Sequence, residues 1–117
     1  MHMMKLYDEP YRRIDNGEKN IELRLYDEKR KLINVGDYIT FTNIETGEQL
    51  VAKCTALYRA NSFVELFHVL KDNRKMGFKH NESPEEMSNQ MRKYYSLENE
   101  DKYGVVGIEI DVKLKLQ

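Results

Sequence analysis

The sequence predicts an α+β domain in which a small, strongly curved, mostly antiparallel sheet is closed or capped by helices. Five segments show the alternation or the β-branched and aromatic composition of strands. Three other segments carry helix signals, and the predicted order is β-α-β-β-β-α-α-β. This order lacks the regular βαβα rhythm of parallel α/β proteins, which favours the α+β class.

Length and composition indicate one domain over residues 1–117, because two domains of this total length would each be too small to be stable. The 19 basic and 20 acidic residues leave a formal net charge of −1, which excludes a strongly basic field for non-specific nucleic-acid binding. Cys54 is the single cysteine, so we expect a buried, inert thiol and no intramolecular disulfide. We expect a cytoplasmic protein, a monomer rather than an oligomer, with no membrane segment, metal or cofactor.

The first strand is predicted at Met3–Tyr7, and Asp8 is predicted to cap a helix that ends at Asn16-Gly17. Pro10 fits the first turn of that helix. The expected inner face of the helix carries Tyr7, Tyr11 and Ile14.

The middle of the chain is predicted to form three strands. In residues 21–26, Ile21, Leu23 and Leu25 alternate with polar residues, as in a half-buried strand. Gly36-Asp37 indicates a turn before the β-rich residues 38–42, and Glu45-Thr46-Gly47-Glu48 indicates a hairpin turn. The next strand covers residues 49–58, with Leu50, Ala52, Cys54 and Ala56 on one side.

Two capping-box patterns predict the later helices, at Ser62–Glu65 and at Ser83–Glu86. The apolar face of the second helix is expected to carry Met87, Met91, Tyr94 and Tyr95. Residues 71–82 are rich in Lys, Asn and Gly and predict a surface loop, and residues 103–116 predict a long final strand.

The segment Gly17–Arg24 reads G-x-K-x-I-E-x-R and places Lys19, Glu22 and Arg24 next to a glycine turn. Lysine, glutamate and arginine offer a ligand three different geometries. The competing interpretation is structural, with Lys19 at the negative end of a helix and Glu22 paired with Arg24 on the surface. Strict alternation places Lys19 and Glu22 on different sides of the strand. The two side chains therefore meet only if Lys19 lies in the turn before the strand or a bulge reorients it.

Tyr58 and Arg59 are further ligand-binding candidates, because an aromatic ring and a guanidinium can hold a base and a phosphate. Their alternative is a packed tyrosine and a solvated arginine. The basic residues 29–31 lie close to the motif and can supply phosphate contacts. His68 and His80 lack the neighbours of a metal site.

The chain resembles the ASCH family in four stretches: G-x-K-x-I-E-x-R at 17–24, V-G-D-x-I-x-F at 35–41, residues 58–66, and Y-G-V-V-G-I-E-I at 103–110. The resemblance implies a PUA-like fold, a curved β-barrel of about five to six mostly antiparallel strands with helices at its openings. It also implies a cleft lined by the first motif and binding of RNA, a nucleotide or a nucleoside.

One bacterial branch of this family consists of amidohydrolases of acylated cytidine nucleosides that are thought to use a lysine, a threonine and a glutamate. Lys19 matches the lysine, whereas Glu22 stands at the threonine position. The family's acidic residue, which lies before the second long helix, has no clean match here, and the residues nearby are His80, Glu82, Glu85 and Glu86. A hydrolase here would need Glu22 as a base for water and a cation to stabilise the oxyanion.

Three functions therefore stay open on the sequence. The first is an RNA- or nucleotide-binding module that uses Lys19, Glu22, Arg24, Tyr58 and Arg59. The second is an amidohydrolase in which Lys19 and Glu22 are catalytic. The third is a protein-interaction or regulatory domain in which Glu22 and Arg24 form an internal ion pair.

Overall fold

A computed structural model describes residues 1–116; Gln117, the last residue of the predicted domain, lies outside them. Two 3-10 turns, at Arg30–Leu32 and Met91–Lys93, interrupt the longer connections. The predicted α+β class is confirmed. The strands and helices follow the chain as β1 (His2–Leu6), α1 (Asp8–Asp15), β2 (Ile21–Leu25), β3 (Tyr38–Asn43), β4 (Gln49–Ala60), α2 (Phe63–Val69), α3 (Pro84–Gln90), α4 (Leu97–Tyr103) and β5 (Val105–Leu116).

The five strands form one sheet in the order β1-β3-β4-β5-β2. Only the β1–β3 pair is parallel, and the other three pairs are antiparallel. The predicted barrel therefore exists in an open form, with β1 and β2 as its two edges. Arg24 on β2 donates from Nη2 to the backbone oxygen of Lys5 on β1 at 2.8 Å, so a side chain links the two edges where no strand pairing does.

Each face of the sheet carries its own buried apolar cluster. The first face packs against α1 and includes Val106, Ile108 and Ile110 of β5. The second face packs against α2 and α3 and includes the apolar residues of β2, which are Ile21, Leu23 and Leu25. The prediction of a half-buried β2 is wrong, because Glu22, on the first face opposite Ile108, is also only 3% exposed.

A bulge in β4 changes its predicted alternation. Cys54 pairs with Ile110 and Ala56 with Glu109, so Thr55 is the extra residue and stays exposed. Beyond the bulge, Leu57 rather than Ala56 joins the first face, because one added residue reverses the side to which every later side chain points.

The first helix begins differently from the prediction. Asp8 is not the cap, since Tyr7 occupies the cap position without a side-chain hydrogen bond. The Glu45 carboxylate, from the β3–β4 turn, accepts from the Asp8 backbone N–H at 2.5 Å. Tyr11 and Ile14 lie on the inner face as predicted, but Tyr7 is 56% exposed.

The serine caps are confirmed, although the helix after Ser83 is shorter than predicted. Ser83 and Glu86 form both bonds of a capping box, whereas at α2 only one of the two forms, with the Ser62 side chain accepting from the Glu65 N–H. The helix ends at Gln90, before Tyr94 and Tyr95.

Helix α4 was not predicted, yet it is capped by Ser96, which accepts from the Asn99 N–H at 3.1 Å. Its buried Glu100 pairs with Arg92 and accepts from the backbone N–H of Phe63 at 2.5 Å. Glu100 therefore connects the N-terminus of α2 to α4, a contact between distant parts of the chain.

Candidate functional site

Lys19, Glu22 and Arg24 come together as a buried charge cluster. Lys19 Nζ lies 2.9 Å from Glu22 Oε1, and Arg24 Nε lies 2.9 Å from Glu22 Oε2. Their side chains are 10%, 4% and 14% exposed in that order. The surface-pair interpretation is therefore wrong, and the cluster carries two positive charges against one negative charge.

Lys19 reaches Glu22 because it lies before β2, whose regular pairing starts at Ile21. The Lys19 backbone N–H bonds to the Arg13 oxygen at 3.0 Å, which ties this turn to the end of α1. The Lys75 oxygen accepts from both Asn20 and Ile21 at 2.9 and 3.0 Å. This is the first of the two geometries that the sequence allowed, and no bulge in β2 is needed.

The electrostatics of the cluster keep Glu22 ionised. Burial alone would raise the pKa of Glu22, but the charges and hydrogen bonds of Lys19 and Arg24 outweigh it and lower the pKa to about 2. Arg24 is also held in its charged form: burial opposes the charge, while Glu22 beside it raises the pKa of the guanidinium. Both Glu22 oxygens accept from cations, which makes this carboxylate a weak base.

The cluster lies in a cleft of about 1100 Å³. One wall is the start of α1, a second is the segment 76–79, and a third is the segment 89–95. The predicted surface loop 71–82 is in part a packed element, since Met76 is 2% exposed and Phe78 packs edge-on against Phe67 with ring centroids 5.3 Å apart. Arg13 donates to the Gly77 oxygen and fixes the loop over the end of α1.

Aromatic rings line one rim of the cleft. Tyr7 and Tyr94 are 56% and 47% exposed, and their ring centroids are 6.3 Å apart. Tyr95 lies behind Tyr94 and stacks on Phe63 at 5.8 Å, so one of the two predicted core tyrosines is a core residue and the other is a rim residue. The place of Tyr7 on this rim was not predicted from the sequence, although its position just before the first turn of α1 was an available signal.

Tyr58 and Arg59 do not line this cleft. The Tyr58 hydroxyl donates to Glu109 Oε1 at 3.1 Å, and its ring packs against the second-face cluster. Arg59 lines a separate depression of about 670 Å³, where its guanidinium carbon lies 3.9 Å from the centroid of the Tyr26 ring.

Among the acidic candidates near α3, Glu82 alone lines the cleft. Its Oε2 accepts from the Lys79 N–H at 2.8 Å and its Oε1 from Gln90 Nε2 at 2.6 Å. The basic run at 29–31 lies outside the cleft lining, and two of its members are paired: Arg30 with Asp27 at 3.2 Å and Lys31 with Glu28 at 3.3 Å.

Residues 1–116 contain neither a metal-binding cluster nor a membrane-spanning helix. No cluster of three or more His, Cys, Asp or Glu side chains within them is arranged to hold a metal ion. No helix in that range is both long and apolar enough to cross a membrane.

Comparison with known proteins gives the family. The ASCH domain model matches residues 4–113. The crystal structure of hypothetical protein PH0355 is 39% identical, with a TM-score of 0.81 over 95% of this chain and 97% of that chain. The solution structure of protein PF0455 from Pyrococcus furiosus is 38% identical, with a TM-score of 0.71 over 95% and 96% of the two chains. No curated protein sequence matches the chain.

More distant structures agree on the fold. The S128A mutant of ZmASCH from Zymomonas mobilis is 14% identical, with a TM-score of 0.65 over 93% of this chain and 66% of that chain. The ASCH domain from Lactobacillus crispatus JV V101 is 18% identical, with a TM-score of 0.61 over 95% and 79% of the two chains. Since the family model spans almost the whole chain and solved ASCH structures share its architecture, the chain belongs to the ASCH domain family.

Proposed function

We propose that this protein is a nucleotide-binding module whose cleft holds one nucleotide unit, either free or within an RNA strand. The observation that carries the proposal is the buried Lys19–Glu22–Arg24 cluster, which has one positive charge in excess and lines a cleft with an aromatic rim. Buried excess positive charge favours an anionic or carbonyl-rich ligand, because such a ligand completes the pairing of the cations.

The rim supports a base as part of that ligand. Tyr7 and Tyr94 expose their rings on the same side of the cleft at 6.3 Å, and every nucleobase offers a flat face to such rings. Tyr94 therefore serves as a stacking surface, while Lys19 and Arg24 contact base-edge carbonyls or the phosphate.

Glu22 acts in this proposal as a positioning residue. Because it holds Lys19 Nζ and Arg24 Nε at 2.9 Å each, it fixes two cations whose long side chains would otherwise sample many rotamers. Pre-organised cations bind a ligand with a smaller loss of conformational entropy.

The charge balance predicts a small footprint. With a net charge of −1, few phosphates can be neutralised, so we expect modest affinity and a shallow salt dependence. A steep salt slope that requires many phosphate contacts would contradict binding in the cleft.

Titration with the four ribonucleoside monophosphates tests the proposal, using calorimetry and amide chemical shifts. We expect shifts at residues 19–24 and 94–95, and at least a tenfold loss of affinity in Lys19→Met. Tyr94→Leu is a second variant, because Tyr94 is 47% exposed and its loss spares the core. Lys71→Met is the matched control, since Lys71 is exposed and lies outside the cleft lining. If all variants bind like the wild type, the cleft is not the site.

Hydrolysis of acylated cytosine nucleosides is the alternative within the same cleft. Lys19 supports it, but the low pKa of Glu22 and its two occupied oxygens favour binding over general-base catalysis. Product formation followed by chromatography distinguishes the two functions. Turnover that disappears in Lys19→Ala and in Glu82→Gln would replace the binding proposal with a hydrolase.

A further inference from the structure

A second depression, of about 670 Å³, lies outside the cleft and contains two pairs of a cation with an aromatic ring. The Arg59 guanidinium carbon lies 3.9 Å from the Tyr26 ring centroid, which is stacking distance. Lys102 Nζ lies 5.0 Å from the centroid of the Tyr103 ring. The depression therefore offers flat surfaces and positive charge together.

Arg59 has no acidic partner within the part of the chain that the structure describes. Within residues 1–116 Arg59 is an exposed residue and forms no ion pair, whereas Arg30 pairs with Asp27. Glu65 and Asp101 line the same depression without pairing with Arg59. Because these carboxylates repel additional phosphates, the depression suits one phosphate rather than a row of them.

The strand register gives the distance between the depression and the cleft. Arg24 on β2 and Arg59 on β4 both lie opposite Val106 of β5, so their Cα atoms are about two strand spacings, or roughly 10 Å, apart. Tyr26, which lines the depression, follows Arg24 by two residues. A single strand covers such a distance within the roughly four nucleotides that the smallest single-strand sites hold.

We propose that Arg59 and Tyr26 form a second contact site, which holds the phosphodiester and base of another nucleotide in the same strand as the one in the cleft. The ligand is then a single-stranded oligonucleotide rather than a free nucleotide. The inference rests on the proposed function, since the cleft must hold the first nucleotide.

Fluorescence anisotropy with labelled hexanucleotides tests the site, using rA6, rC6, rG6 and rU6 with their DNA counterparts. The four ribonucleoside monophosphates are titrated in parallel. The variants are Arg59→Gln, Arg59→Lys, and Arg74→Gln as the matched control, because Arg74 is exposed and lines neither the cleft nor the depression. Circular dichroism verifies that each variant is folded.

We expect Arg59→Gln to weaken hexamer binding about five- to tenfold and to reduce the salt slope by about 0.7, with mononucleotide affinity unchanged. Arg59→Lys should retain the salt slope but lose most of the stacking contribution, since an ammonium is not planar. If Arg59→Gln loses the same affinity for RNA and DNA hexamers, the Arg59 contact is to base and phosphate. If it loses affinity for RNA hexamers alone, the contact also includes the 2′-hydroxyl.

Separate results overturn the two proposals. If Lys19→Met weakens binding of both ligand types while Arg59→Gln behaves like Arg74→Gln, the cleft function stands and the second site does not exist. If the wild type binds neither the hexamers nor the monophosphates, the proposed function fails, and the second site fails with it.

Discussion

Replacing Glu22 by glutamine tests the electrostatics of the cluster directly. The pKa of Glu22 falls from an ordinary 4.5 to about 2, because the charges of Lys19 and Arg24 outweigh the effect of burial. At about 1.4 kcal/mol for each pKa unit, this difference corresponds to about 3 kcal/mol of folding free energy. Since the folded state lowers the pKa, this stabilisation is fully present above the unfolded value and is lost as the pH falls from about 5 towards 2.

Glu22→Gln keeps the shape of the side chain but leaves two buried cations without an anion. We expect a loss of about 3–5 kcal/mol in the free energy of unfolding at pH 7, as for one broken partner of a buried ion pair. The difference between wild type and variant should shrink by about 3 kcal/mol between pH 5 and pH 2, because only the wild type has this carboxylate to protonate. Urea unfolding followed by circular dichroism at several pH values measures both quantities.

One control variant and one double variant accompany this test. Glu28→Gln alters a carboxylate whose side chain is 87% exposed and should change the free energy of unfolding by less than about 1 kcal/mol. Glu22→Ala combined with Arg24→Leu should recover part of the loss of Glu22→Ala alone, since it removes one unpaired charge. Parallel pH curves for wild type and Glu22→Gln would refute a carboxylate clamped between two cations.

Three further predictions concern stability and reactivity. Ser83→Ala removes one bond of the α3 capping box and should cost about 1 kcal/mol in urea unfolding; an unchanged midpoint would contradict the cap. Gly104→Ala should destabilise the protein more than Gly17→Ala. Both glycines have positive φ, but only at Gly104 would the added Cβ meet a backbone oxygen, that of Ala60, at 3.1 Å. Equal thermal midpoints for the two variants would refute this close approach. Burial raises the pKa of the Cys54 thiol, so a thiol reagent at pH 8 should react only as fast as the protein unfolds, and rapid labelling of native protein would show that Cys54 is accessible.

Local patterns predicted much of the fold. The capping box at Ser83 and Glu86 forms within one turn, and the alternation of Ile21, Leu23 and Leu25 follows the pleat of one strand. These features depend on hydrogen bonds and side-chain directions within a few residues. Helix α4 had a comparable signal in Ser96, but no helix was predicted after Tyr95.

The features that were not predicted from the sequence lie where distant segments of the chain meet. Tyr7 has helical spacing to Tyr11 and Ile14, yet it lies at the cap position and faces the cleft beside Tyr94. The spacing of residues along one helix cannot report a contact between residues 87 positions apart. Arg59 was grouped with the cleft residues from sequence, and the sheet order places β5 between its strand and β2.

Short-range periodicity and capping chemistry were sufficient to predict the α+β class, the family pattern, most strand positions and two serine-capped helix starts. Tertiary structure alone decided that Lys19 meets Glu22, since the position of Lys19 is set by hydrogen bonds to Arg13 and by the attachment of the next residues to Lys75. The cleft likewise depends on tertiary structure, because its walls come from α1, segment 76–79 and segment 89–95. Contacts between such segments exist only once the chain has folded back on itself, so no local pattern encodes them individually.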